Sequence, residues 1–382
     1  MKKSFAKLTL VFLISLAVFA PNVCLSSSTQ NWVKLFIPAF KGPDKLGLNV
    51  ATILNLQIWQ TLRVRPWPYD PADFRFGDGN IESIEVPLEE KDAIIKATSL
   101  EVLAQFVLMG EVFRFGDGIV VEAIIIIPEY DDFRPSRPEI WELKFPINHE
   151  KSYSFKIGLP NQVYEFAPVV LKQEFVEKYS TPVNIKIYKS RKQKKVIGVL
   201  GREYRGLLPY GNYEKVKSGA ITGWVYLPEI STNRNEIADF TGGLIRIFRR
   251  DWEGADELLE RVIKNVNTPS IIKADCFLYK AYAKERRGLS GAEDIKRAFS
   301  MNAYYRPTVE YKIMSLLTEL KRKYLDMSMS LELNKMDSSS IGKVYMEIKN
   351  LVDSKGYLFP QKTPFLLKVK NFLRDFKPFV EK

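Results

Sequence analysis

Chemistry in a chain of this kind has to be built from few parts. Among 382 residues there is one histidine, His149, and two cysteines, Cys24 and Cys276. Zinc sites need several His or Cys ligands, and Ser/His or Cys/His catalysis needs a base beside its nucleophile, so neither has the residues to form. No metal, no cofactor and no catalytic residue is expected. Carboxylates are the remaining candidates for acid-base work. Glu129, Asp131 and Asp132 cluster in Pro128-Glu129-Tyr130-Asp131-Asp132-Phe133-Arg134-Pro135. That loop lacks the alternating ligands and central glycine of a calcium loop, and it reads as surface turn chemistry. Cys276 lies in Ala274-Asp275-Cys276-Phe277-Leu278, an apolar helical face on which a small buried hydrophobe is expected rather than a nucleophile.

Binding chemistry has more to work with. Lys186, Lys189, Arg191, Lys192, Lys194 and Lys195 form the densest basic run in the chain, with Tyr188 inside it and Tyr204, Tyr210, Tyr213 and Trp224 following it in sequence. Tyrosines near loops, with an apolar ring and a polar tip, suit contacts to peptide or sugar. Trp224 reads as a core or core-edge residue closing a small domain. The basic run reads either as a solvated loop or as an electrostatic contact with an acidic envelope polymer or anionic lipid surface.

The elements around these residues change character along the chain. From Val183 to Pro228, short β-rich runs are punctuated by glycine, which predicts a small all-β barrel over residues 181–231. Ile197-Gly198-Val199-Leu200-Gly201, Tyr213-Glu214-Lys215-Val216 and Gly219-Ala220-Ile221-Thr222-Gly223-Trp224-Val225 resemble the bacterial SH3-like domain. That resemblance implies a binding module for a wall or peptide ligand.

Upstream, residues 30–180 predict an α+β domain. Trp32 to Phe40 reads as a buried strand, Leu46 to Leu62 as a buried helix, Ile81 to Val86 as a strand and Glu89 to Leu103 as a second helix. Phe106–Phe113 and Ile119–Pro128 flank Phe115-Gly116-Asp117-Gly118, a strong hairpin signal. Trp141 to Phe145 alternates and is expected to extend the same sheet, with Tyr153 to Tyr179 as a connector. The segments Leu35-Phe36-Ile37-Pro38 and Leu108-Met109-Gly110-Glu111-Val112 are similar to the amino-terminal domains of TolB-like and CsgG- or FlgO-like envelope proteins, which implies a role in envelope assembly.

Residues 234–382 take a helical period. Asp251-Trp252-Glu253-Gly254-Ala255 and Ala298-Phe299-Ser300-Met301-Asn302 are similar to segments of tetratricopeptide repeats, with Ala303 where that family carries proline. The resemblance implies stacked helical hairpins that dock a protein partner.

Residues 1–28 have the order of a secretory signal: Lys2 and Lys3, an apolar run from Leu8 to Ala20, then Pro21 and small polar residues. Its removal would lower the formal charge from +12 to +9 by subtracting Lys2, Lys3 and Lys7. The expected location is periplasmic or cell-envelope, and export argues against nucleic acid as the partner of the basic run. The reading at this level is a non-catalytic exported envelope protein whose barrel binds peptidoglycan or a peptide. The alternatives are an assembly or scaffold component of an outer-membrane secretion or surface-fibre complex, and a carboxylate-based wall hydrolase.

Overall fold

The apolar runs of the first half pair into three sheets, and the helical stripes of the second half stack against two of them. The structure is a computed structural model. It describes residues 33–62, 86–99, 102, 104–128, 141–147, 151–180, 185–201, 205–210, 212–228, 234–329, 338–360 and 363–380. His149, the Glu129–Asp132 loop, Tyr204, all but Val86 of the strand expected at Ile81–Val86 and the whole of residues 1–28 lie outside these.

In the first sheet, β1 (Leu35–Phe36) runs parallel to β2 (Phe106–Phe115), which forms a hairpin with β3 (Gly118–Ile126). The turn pairs Phe115 with Gly118, so its two central residues are Gly116 and Asp117. Gly116 takes φ 61°, the left-handed region that glycine enters without steric cost. β6 (Val163–Glu165) and β7 (Val169–Lys172) both pair with β3. Helix α1 (Leu46–Thr61) covers one face, with Val50, Ile53, Leu54 and Ile58 buried. Helix α2 (Glu90–Thr98) packs Ala93 and Ala97 against Val107, Met109 and Ile126 on the other.

Trp141 to Phe145 does form a strand, but not in that sheet. β4 (Trp141–Pro146) pairs with β5 (Ser152–Ile157) as a separate hairpin. Trp141, Leu143 and Phe145 share its buried face, and helices cover them: Phe145 lies 4.8 Å from Phe372 and 5.5 Å from Phe376, ring to ring. The expected connector from Tyr153 to Tyr179 therefore contains β5, β6, β7 and helix α3 (Gln173–Ser180).

The third sheet has five strands: β8 (Lys186–Tyr188), β9 (Val196–Val199), β10 (Arg205–Tyr210), β11 (Tyr213–Ser218) and β12 (Ile221–Tyr226). Their order is β10-β11-β12-β8-β9, which brings the first strand beside the last.

Among the described residues, seven α-helices make the carboxyl-terminal half: α4 (Glu236–Phe248), α5 (Trp252–Lys264), α6 (Ser270–Arg286), α7 (Ala292–Met301), α8 (Arg306–Met329), α9 (Ser338–Lys355) and α10 (Pro364–Phe376). All thirteen residues of α4 are buried, whereas α5 buries only the stripe Gly254, Ala255, Leu258, Leu259 and Val262. α4 and α6 are therefore inner helices, and α5 and α7 have an open face. What covers the inner helices is the chain's own first half. Phe240 packs on Tyr164 at 4.7 Å and Phe166 at 5.6 Å, and Phe248 meets Phe106 at 4.4 Å. Buried apolar residues from all three sheets and all seven helices belong to one continuous core, and the chain from Val33 onward is one compact unit.

Candidate functional site: an aromatic and basic sheet face

Strand alternation divides the five-stranded sheet into two unlike faces. Ile187, Val216 and Val225 point into the core, and Gly223 sits between them. The residues one position away point outward: Tyr188 on β8, Tyr213, Lys215 and Lys217 on β11, and Trp224 and Tyr226 on β12. Cross-strand register then brings like residues together. Trp224 stands opposite both Tyr188 and Lys215, and Tyr213 stands opposite Tyr210 and Tyr226. The Tyr213 and Tyr226 rings are 4.9 Å apart.

Gly223 makes this layout possible. A Cβ there would fall 2.6 Å from the Tyr188 carbonyl oxygen and 2.5 Å from Ile187 Cγ2, so β12 and β8 approach this closely only because the residue is glycine.

The connection from β8 to β9 folds back over the outer face. Its ends are tied by the Lys189 N–H donating to the Lys195 carbonyl at 3.0 Å, and Gln193 N–H donates to Ser190 Oγ at 3.0 Å. Arg191 is thereby laid flat on the aromatics. Its guanidinium carbon is 3.3 Å from the centroid of the Tyr210 ring and 5.0 Å from that of Trp224. The Arg191 guanidinium beside the Tyr210 hydroxyl holds the Tyr210 pKa below the usual tyrosine range. Lys189, Lys192, Lys194 and Lys195 are exposed around it.

Four of the five expected aromatics, Tyr188, Tyr210, Tyr213 and Trp224, thus share one face with Arg191 among them, and Tyr204 lies outside the described residues. Trp224 is half-buried on the outer side, while its neighbour Val225 takes the core position. Tyr226, Lys215 and Lys217 belong to the same surface and escaped the sequence reading. The signal for them was the period-2 pattern Thr222, Trp224, Tyr226 and Tyr213, Lys215, Lys217.

The charge on this face is one-sided. Among the residues from 185 to 228 whose side chains are described there are eight basic side chains and one acid, Glu214, which is buried on the opposite face. No carboxylate of the described residues pairs with Arg191 or the exposed lysines. Such a surface attracts anions, and stacked rings offer them flat apolar neighbours.

A second polar cluster lies where the first half meets the helices. Asp275 on α6 is fully buried and accepts a hydrogen bond from the Tyr305 hydroxyl at 3.1 Å, while its other oxygen has no partner among the described residues. The Tyr164 and Tyr279 hydroxyls are 2.7 Å apart, and Tyr311 donates to the Gly158 carbonyl at 3.3 Å. Burial pushes the Asp275 carboxyl up to about 8, so at neutral pH it is held as the acid. The neighbouring Cys276 is also fully buried, and burial pushes its thiol up, away from the nucleophilic thiolate. Asp275 was invisible as a site in the sequence because Tyr164 and Tyr305 reach it from distant segments.

Among the described residues, no group of three or more His, Cys, Asp or Glu side chains is placed to hold a metal ion, and no helix is long and apolar enough to cross a membrane. Comparison of the chain with protein-family models, with curated proteins and with solved structures found no match.

Proposed function

We propose that this chain is a non-catalytic, exported cell-envelope protein that works by presenting surfaces. The five-stranded sheet is read as an SH3-like barrel that binds an acidic wall peptide on its aromatic and basic face. The stacked hairpins are read as tetratricopeptide-like repeats that dock a protein partner. One observation carries the ligand reading: Arg191 lies on Tyr210 and Trp224 in a loop of exposed lysines, with no acid among the described residues on that side of the sheet. Support for the barrel comes from the β8–β12 pairing of first strand with last. Support for the repeats comes from inner helices α4 and α6 starting at Glu236 and Ser270, 34 positions apart, with outer helices α5 and α7 between and after them. Because the chain's own strands cover α4 and α6, the surface these repeats offer a partner is the open side of α5 and α7.

Co-sedimentation of the full chain with purified peptidoglycan sacculi tests the ligand half. Binding at physiological salt should fall when Lys189, Arg191, Lys192, Lys194 and Lys195 are changed together to Gln. Equal sedimentation of both proteins, or none of either, would remove the proposal.

A scaffold role in an outer-membrane assembly is favoured by a different feature. Phe113, Phe115 and Val170 are 42%, 76% and 65% exposed. They share one face of the first sheet, since Val120 pairs with both Phe113 and Val170. Helix α2 covers the other half of that face and stops short of them. Under this reading Phe115→Ser and Val170→Ser abolish recovery of a membrane complex that survives changes to the basic loop.

A further inference from the structure

The position of Arg191 says more about the ligand than its charge does. A guanidinium lying on a ring has one face covered, and its N–H donors are directed outward in the plane of the group. With the loop closed by the Lys189–Lys195 backbone hydrogen bond, those donors are held in place before any ligand arrives. A cationic ligand would have to displace Arg191 from the rings in a field of exposed lysines. An anion needs no displacement, and a carboxylate matches the fork of the guanidinium with two parallel hydrogen bonds.

The sheet edge next to this group favours a peptide over a headgroup. β9 follows the Arg191 loop directly and ends the strand order, so among the described residues its outer edge has no partner strand. Val196 and Val199 on it are exposed. An extended peptide can add to such an edge through its backbone and place an acidic side chain or terminus at Arg191. A lipid phosphate has no backbone to pair.

Resting on the binding role proposed above, we infer that Arg191 is a preorganised carboxylate receptor and that the ligand is an extended acidic peptide lying along β9. Tyr210 and Trp224 act as positioning residues that hold the guanidinium flat.

The test is a calorimetric titration of the full chain with a soluble acidic wall stem peptide and with the same peptide amidated at its carboxylates. The free-carboxylate peptide should bind at least ~10-fold tighter, the size expected for a charged bidentate contact. Arg191→Lys keeps the charge but not the planar fork, and should cut that discrimination several-fold while leaving the thermal unfolding curve unchanged. Lys194→Gln removes one charge elsewhere in the loop but leaves the fork, and should keep most of the discrimination. Equal affinity of the wild-type chain for the two peptides, or an unchanged ratio in Arg191→Lys, overturns the receptor while leaving wall binding intact. Binding of neither peptide overturns the role itself. Arg191-dependent binding to anionic phospholipid vesicles without peptide binding would assign the site to phosphate and overturn the inference.

Discussion

Asp275→Asn should make the protein more stable at neutral pH, and by an amount that depends on pH. In the folded state the carboxyl is raised to about 8 by burial, against 3.8 for the same group exposed. Between those values the unfolded chain releases a proton that the folded chain keeps, so stability falls as pH rises. The contribution is most favourable below pH ~4, declines through the interval and levels off above the folded pKa. Each unit of difference corresponds to ~1.4 kcal/mol, so at pH 7 burying this acid costs up to about 4 kcal/mol, against about 2 kcal/mol at pH 5. Asn accepts from the Tyr305 hydroxyl as the carboxyl does but binds no proton. The variant should therefore gain on the wild type by about 2 to 3 kcal/mol more at pH 7 than at pH 5. Urea unfolding of both proteins at the two pH values, followed by circular dichroism, gives this double difference directly. An identical pH slope in the two proteins would refute the reasoning, because it would mean that Asp275 titrates alike in the folded and unfolded chains.

Two further perturbations follow from local geometry. Asn235 caps α4, its side-chain oxygen accepting from Ala238 N–H at 3.0 Å while its amide donates to Gln57 at 3.1 Å. Asn235→Ala should lower stability by ~1–2 kcal/mol in a denaturant titration. Gly223→Ala forces a methyl group onto the Tyr188 carbonyl and Ile187, and should destabilise the five-stranded sheet by ~1–3 kcal/mol. Its signature is faster amide exchange in β8, β11 and β12, with the helical half unchanged.

Strand and helix periods were legible in the sequence wherever one element buries one face. The β2–β3 hairpin could be read from two apolar runs around Phe-Gly-Asp-Gly, and the structure places its turn at Gly116-Asp117. The helices from α4 onward could be read from their Leu and Ala stripes. Partners were not legible. The alternation of Trp141, Leu143 and Phe145 marks a strand with one apolar face, but nothing local says that Phe372 and Phe376 cover it in place of a neighbouring strand. β6 and β7 are three and four residues long, too short to show a period, and their segment resembled a connector. In the candidate site, residue types were informative and facing was not. Gly223-Trp224-Val225 reads as strand, yet only the cross-strand neighbours decide that Val225 takes the core and Trp224 faces outward with Arg191. The Asp275 cluster has no local signature at all, since residues from β6, α6, α8 and the loops between them meet there only after folding.

The central claim is that the outer face of the five-stranded sheet is where this protein meets its ligand. Hydrogen–deuterium exchange of the full chain, with and without soluble peptidoglycan fragments, tests it most directly. Protection confined to residues 188–199 and 210–226 is the outcome expected. Protection on the open side of α5 and α7, or an unchanged exchange pattern throughout, would contradict it.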